Sequence, residues 1–240
     1  MIKDVNRKFL ATIILYVTYF ISGVGLLTYA YLKTGGGNLV VTGIFVFFLI
    51  SIFVTAWVKN RLSYITNLSY IIRITNGSGD PLKISRVNNT KILYQYLEAN
   101  DYIKLKNDTQ HYLFYRVKKD TIQKIFSNYM LEVVVYINKD SPDFYLDQVN
   151  DEINTIKEKL LKEKKTINRL FITQYKVVDE LDQITKNAIS EIVFIRTKYH
   201  IISTINVGIL NDELAVMLYS DTYSPSLYYK YHIEQIKDMI

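Results

Sequence analysis

A chain of 240 residues has the length for one or two domains, and with no cysteine it excludes disulfides, thiolate metal sites and Cys nucleophiles together. The net charge of +6 is unevenly placed: Lys3, Arg7, Lys8, Lys33, Lys59 and Arg61 stand against one acid, Asp4, in the first 61 residues, leaving 23 basic and 22 acidic residues in the rest. The basic excess therefore reads as a membrane-topology signal, and the broad positive surface of a nucleic-acid binder is missing.

Phe9 to Leu32 is 24 residues without a formal charge and Leu39 to Val58 another 20, each long enough at about 1.5 Å per residue to cross a hydrocarbon core of about 30 Å. The Gly-rich segment Lys33 to Asn38 joins them. Residues 1–61 thus read as a transmembrane hairpin with spans at about 9–32 and 39–58. The flanks carry Lys3, Arg7, Lys8, Lys59, Arg61 and Arg73, and the turn only Lys33, so the positive-inside rule puts both termini in the cytoplasm of a multi-pass cell-membrane protein. A cleaved signal peptide fits less well, because the first apolar run is too long and ends in the bulky Tyr29-Ala30-Tyr31. Trp57, Tyr29 and Tyr31 suit the interfaces. Thr18 and Ser22 on one span and Ser51 and Thr55 on the other fall at similar depth, where they would face each other and let the helices pack closely; the spans could also associate between copies as a homo-oligomer. Neither span holds an Asp, Glu, Lys, Arg or His, which argues against a transporter or pump.

Leu62, Ile65, Leu68 and Ile72 recur at helical spacing, as an extension of the second span or a helix along the membrane surface, and Thr75 to Pro81 reads as a linker. Residues 62–81 are accordingly a juxtamembrane helix and linker. Asn89 to Ala99 reads as a short helix, followed by a hairpin of Tyr102 to Lys106 and Tyr112 to Val117 about the turn Asn107 to Gln110. Together, 82–128 forms a small helix-plus-hairpin appendage. A helix followed by a hairpin would suit a winged-helix DNA binder, but Asp101, Asp108 and Asp120 interleave with the lysines.

Residues 129–240 read as an α/β domain. Leu131 to Ile137 is a β-branched buried strand, and Ser141-Pro142-Asp143 supplies an N-cap, a first-turn proline and an acid for the helix that follows. On that helix Val149, Ile153, Ile156 and Leu160 build one apolar stripe, with acids early and lysines late as the helix dipole favours. Arg169 to Val178 reads as the next strand, and Asp179 as the cap of a helix through Ile189 with Leu181, Ile184 and Ala188 inward. Strands over Glu191 to His200, Ile201 to Leu210 and Leu214 to Tyr219 follow, with a tight turn at Asn211-Asp212. Ser224-Pro225 then starts a helix bearing Tyr229, Ile233, Ile236 and Ile240. The fold class is a two-helix transmembrane hairpin followed by a cytoplasmic mixed α/β domain, a mixed sheet with helices on at least one face. A fragment from about Asp80 is expected to fold without the hairpin.

Chemistry-bearing motifs are sparse. His111, His200 and His232 are isolated in sequence, and no nucleophile elbow or Walker loop occurs. The closing hairpin and helix resemble those of catalytically inactive phospholipase D-like sensor domains, but His232-Ile233-Glu234 lacks the lysine two residues on, so the resemblance implies no site residue. No catalytic residue, metal ligand or cofactor is assigned; an acid site from Asp212, Glu213 and Asp221 would need spatial neighbours that sequence does not display. If Glu191 to His200 is a strand, Arg196, Lys198 and His200 share one face, either as a charge-protected edge or as a site for a phosphate-bearing anion, with Arg196 bidentate and Lys198 a point charge. The expected function is a membrane-anchored, non-enzymatic binding or sensing module, its partners the lipid bilayer and a protein or small anionic ligand. The alternatives are a membrane-tethered metal-dependent phosphoester hydrolase and a two-helix membrane effector under a sensor domain. Rich Ile, Lys, Asn and Tyr usage suits an AT-rich bacterial genome.

Overall fold

The computed structural model describes residues 2–77, 80–87, 89–107, 110–122, 129–141, 143–210, 213–220 and 222–240, without the side chains of Lys106 and Asn107. The chain divides into two compact units, Met1–Ile72 and Arg73–Ile240.

The first unit is a helical hairpin of α1 (Ile2–Thr34) and α2 (Asn38–Thr75), both long and apolar enough to cross a membrane. With 33 and 38 residues, they extend to about 50 and 57 Å, well past the thickness of a hydrocarbon core. Gly35 and Gly36 turn the chain at φ of 66° and 89°, a backbone region that costs a side-chain-bearing residue about 1–2 kcal/mol. Tyr16 Oη lies 3.0 Å from Thr55 Oγ1 and Tyr19 Oη 3.2 Å from Ser51 Oγ, while the Tyr19 ring stacks on Phe47. Ser51 and Thr55 do face α1, but their partners are these tyrosines. Tyr16, Tyr19 and Gly23, at steps of three and four, occupy the face turned to α2, whereas Thr18 and Ser22 fall on its exposed side. Past the apolar stretch the pairing continues, with Val5 buried against Ile65 and Ile72 and flanked by Ile2 and Leu68. The apolar spacing from Leu62 to Ile72 thus continues α2 without a break and serves this second contact.

The second unit is one mixed sheet with helices on both faces. Its elements are β1 (Leu82–Lys83), α3 (Thr90–Ala99), β2 (Ile103–Asn107), β3 (His111–Lys119), β4 (Tyr129–Ile137), α4 (Asp147–Lys162), β5 (Ile167–Val178), α5 (Gln183–Ser190), β6 (Val193–Arg196), β7 (Ile201–Leu210), β8 (Leu214–Met217) and α6 (Leu227–Met239). The strand order is β1-β8-β7-β5-β4-β3-β2, with β6 also on β7. β4, β5 and β7 are parallel and every other pairing is antiparallel. One side of β7 carries β5; on the other, β6 pairs with residues 201–204 and β8 with residues 207–210. Because β3 pairs with β4 over nine residues, segments 82–128 and 129–240 contribute to the same sheet, and the hairpin read as an appendage is its far edge.

Side chains alternate across a strand, so each face is one set of alternate residues. Leu113, Leu131, Val133, Val135, Leu170 and Ile172 point to one face, where the α4 stripe Val149, Ile153, Ile156 and Leu160 covers them together with Ile189 of α5. The other face carries Phe114, Glu132, Phe171, Thr173, Tyr175 and Ser203 under α3 and α6, shown by the ring contacts of Tyr94 with Phe114 and of Tyr228 and Tyr231 with Phe171.

Several boundaries differ from the sequence expectation for local reasons. α4 begins at Asp147 after Leu146, without a side-chain cap; Ser141 instead donates to the Gln110 carbonyl, and Pro142 lies outside the described residues. α5 is capped by Asp182, which accepts from the Thr185 N–H at 2.7 Å, and Asp179 pairs with Lys139. Ile184 is 78% exposed, while Leu181, Ala188 and Ile189 turn inward. α6 takes Ser226 as its cap, two residues after the expected Ser224. Asp108 and Thr109 of the first hairpin turn, Ser78 and Gly79 of the linker, and the Asn211-Asp212 turn lie outside the described residues.

Candidate ligand cavity beside helix α6

After β8 the chain crosses toward α6 through Leu218 to Pro225, a stretch with neither helical nor strand periodicity. Ser220 folds it back, its Oγ accepting from the Tyr223 N–H at 2.9 Å and lying 3.3 Å from Thr222 Oγ1. Helix α6 then presents Tyr229, Lys230, Ile233, Glu234 and Lys237 to the same region, since steps of three and four share a helix face. Between them lies a cavity of about 340 Å³, within the size range of small-molecule sites. Tyr219, Ser220, Thr222, Tyr223 and Ser224 form its other wall.

The charges of this cavity come from α6, and one of them rests on an aromatic wall. Lys237 Nζ sits 4.5 Å from the centre of the Tyr219 ring, and Lys230 Nζ is 3.8 Å from Glu234 Oε1, a long and exposed pair of little energetic weight. Tyr229 is 1% exposed and packs edge-on against Phe194, yet its hydroxyl is buried without a hydrogen-bond partner among the described residues. Burial raises its pKa, so that hydroxyl stays protonated and able to donate. Opposite α6, the wall meets the start of the second unit: the Arg73 guanidinium lies 5.4 Å from the Tyr223 ring, and a Cβ on Gly77 would come within 2.5 Å of Ser220 Oγ.

A second cavity of about 180 Å³, lined in part by Tyr96, Arg116, Lys118 and Asp238, sits above a buried ion network. Arg116 donates through Nε to Glu132 at 2.7 Å and through Nη1 to the Asn100 carbonyl at 2.6 Å. Glu132, 2% exposed, also accepts from Tyr102 at 3.0 Å and from Tyr231. Burial, then the neighbouring Glu132 carboxylate, pushes both tyrosines far above the ordinary phenol range, which keeps them as donors. Asp120 accepts from Tyr228 at 2.5 Å and lies 3.5 Å from Arg169, which donates to the Tyr199 carbonyl. His232 bridges Thr173 and Ser203 through its two ring nitrogens at 2.9 and 2.8 Å. Burial lowers its pKa to about 3, so it is a neutral tie between α6 and the sheet. Each charge here is matched and enclosed, an arrangement that fixes geometry.

The residues singled out from sequence fall elsewhere. Strand β6 ends at Arg196, and Lys198 and His200 belong to the turn into β7, closed by the Thr197 N–H donating to the His200 carbonyl at 2.9 Å. The expected strand face of three basic groups is therefore a hairpin tip. Arg196 donates to the Pro225 carbonyl, next to the cavity wall, and Lys198 lies over its neighbour Tyr199. Asp212 and Asp221 lie outside the described residues, and Glu213 sits in the turn before β8. Among the described residues no group of three or more His, Asp or Glu side chains could hold a metal ion.

Sequence reasoning missed the cavity residues. The seven-residue step from Lys230 to Lys237 was a readable signal of a shared helix face, but the aperiodic wall residues Tyr219, Ser220, Thr222, Tyr223 and Ser224 carry none. Comparison with protein-family models, curated proteins and solved structures finds no match to this chain.

Proposed function

We propose that the protein is a membrane-anchored, non-enzymatic binding and sensing module whose small-ligand cavity lies beside α6, with both termini and the α/β unit in the cytoplasm. The observation that carries this reading is the construction of the cavity wall. Two of the residues that bound the cavity, Ser220 and Tyr223, are the ones that Gly77 and Arg73 pack against, and Arg73 belongs to the last turn of α2. A ligand that reorders Tyr223 or Ser220 changes the surroundings of that turn, which is the kind of differential contact a sensor needs. The cytoplasmic placement rests on the basic flanks of the two apolar helices.

Native mass spectrometry of the detergent-extracted full chain tests the binding role, with turnover of generic phosphoesters measured with and without divalent metal. A co-purified small molecule lost in Tyr223→Ala is the expected result. Metal-dependent turnover lost on substituting cavity residues would overturn the non-enzymatic reading in favour of a hydrolase. For topology, Gly37→Cys and Ile184→Cys are labelled in intact cells with an impermeant thiol reagent, unambiguous in a chain without cysteine. Labelling at 37 and protection at 184 is expected; the reverse would invert the orientation.

A further inference from the structure

Resting on the binding role of the α6 cavity, we propose that its ligand class is a small phosphomonoester, bound through Lys230 and Lys237 with the Tyr229 hydroxyl as an internal donor. Three observations converge. Lys230 and Lys237 are seven residues apart, so two helical turns place both ammonium groups along one wall. They are weakly committed: among the described residues Lys230 makes a long, exposed contact to Glu234, and Lys237 rests on a ring face. Glu234 lowers the positive potential but leaves these lining charges at a net of +1 among the described residues.

The second observation is Tyr229. A buried hydroxyl without a partner is costly unless something supplies an acceptor, and burial rules out its serving as a phenolate. A phosphate oxygen is an acceptor suited to it, whereas a cationic ligand would leave it unsatisfied. Thirdly, the ring walls already hold cations: Lys237 lies on Tyr219 and Arg73 on Tyr223. The aromatic surface is thus used to position positive charge, which disfavours a quaternary-ammonium ligand and favours an anion. At about 340 Å³ the cavity has room for a phosphate with a small organic body, so a free phosphomonoester and a phosphatidate headgroup share the chemistry.

The test uses the full chain in zwitterionic nanodiscs, titrated calorimetrically with AMP and with inorganic phosphate, and in parallel nanodiscs containing phosphatidate whose thermal transition is followed. Saturable AMP binding that weakens with salt is expected, about tenfold weaker in Lys230→Ala and again in Lys237→Ala, and several-fold weaker in Tyr229→Phe. Both lysines are exposed, so their variants keep the fold; the Lys186→Ala control should bind as the parent does. Stabilisation by phosphatidate alone, lost in the same lysine variants, would assign the ligand to the lipid and support the class. No response to any of the three probes would overturn the proposal. So would binding that survives the double lysine variant, or that is lost in Arg196→Ala with Lys198→Ala instead, which would place the anion at the hairpin tip. A non-phosphate molecule co-purifying with a chain that ignores all three probes removes this ligand class and leaves the binding role intact. Hydrolysis of AMP would overturn the non-enzymatic reading itself.

Discussion

The two faces of the sheet are buried by different means. Under α4 and α5 the contact is mainly aliphatic, with Val149, Ile153, Ile156 and Leu160 set against Leu131, Val133, Val135 and Ile172, and with polar pairs set into it where His111 Nε2 lies 2.9 Å from Glu152 Oε2 and Gln174 donates to Asn206 at 2.9 Å. Under α3 and α6 the contact is aromatic and polar, and Glu132, Arg116, Asp120, Arg169 and His232 are all at most 9% exposed. An aliphatic face gains stability from area alone and tolerates exchange of similar shapes. A buried ionic face contributes little net stability but penalises any unpaired member, so it fixes how α6 sits, and the cavity wall with it.

The largest expected effect comes from breaking the ionic face. Glu132→Ala strands Arg116 in a buried setting and should cost about 3–5 kcal/mol, read from urea unfolding of the solubilised chain by near-ultraviolet circular dichroism. Adding Arg116→Met should recover much of that loss; no recovery would mean that Tyr102 and Tyr231, not the charge, carry the penalty.

The second difference is in pH. His232 stays neutral in the folded state down to about pH 3 but titrates near 6.5 when unfolded. Below about pH 6.5 the unfolded chain therefore binds more protons, and stability falls as pH drops toward 3, by up to about 1.4 kcal/mol per unit. Between pH 6.5 and 5, where carboxylates add little, the slope should flatten in His232→Gln. An unchanged slope would assign acid sensitivity to other groups.

On the aliphatic face, Ile153→Val should cost only about 0.5–1.5 kcal/mol, because one methylene is lost without stranding a charge. A penalty as large as that of Glu132→Ala would erase the contrast between the faces. The smallest effect is stabilising. α4 ends with the Lys164 N–H donating to the Leu161 carbonyl and the Lys165 N–H to the Leu160 carbonyl, a closure that holds Lys164 at φ of 59°. Lys164→Gly should stabilise by a few tenths to about 1 kcal/mol in the same unfolding assay, since glycine adopts that region without strain.

The hairpin, the stripe on α4, the strands that became β4, β5 and β7 and the last helix were legible in the sequence, because apolar periodicity is a one-dimensional signal of which side a residue buries. Uncharged length alone marked the two long helices. What tertiary structure decided were matters of distance between remote segments: the tyrosines meeting Ser51 and Thr55, Asp182 replacing Asp179 as a cap, and β3 joining β4. Lys198 and His200 left their expected strand because β6 turns after Arg196 to pair with β7, and local propensity does not encode that partner. The cavity was beyond the sequence for the same reason. Arg73, Tyr223 and Lys237 are far apart along the chain, and only the packing of α6 and its preceding segment brings their aromatic and cationic groups into one neighbourhood.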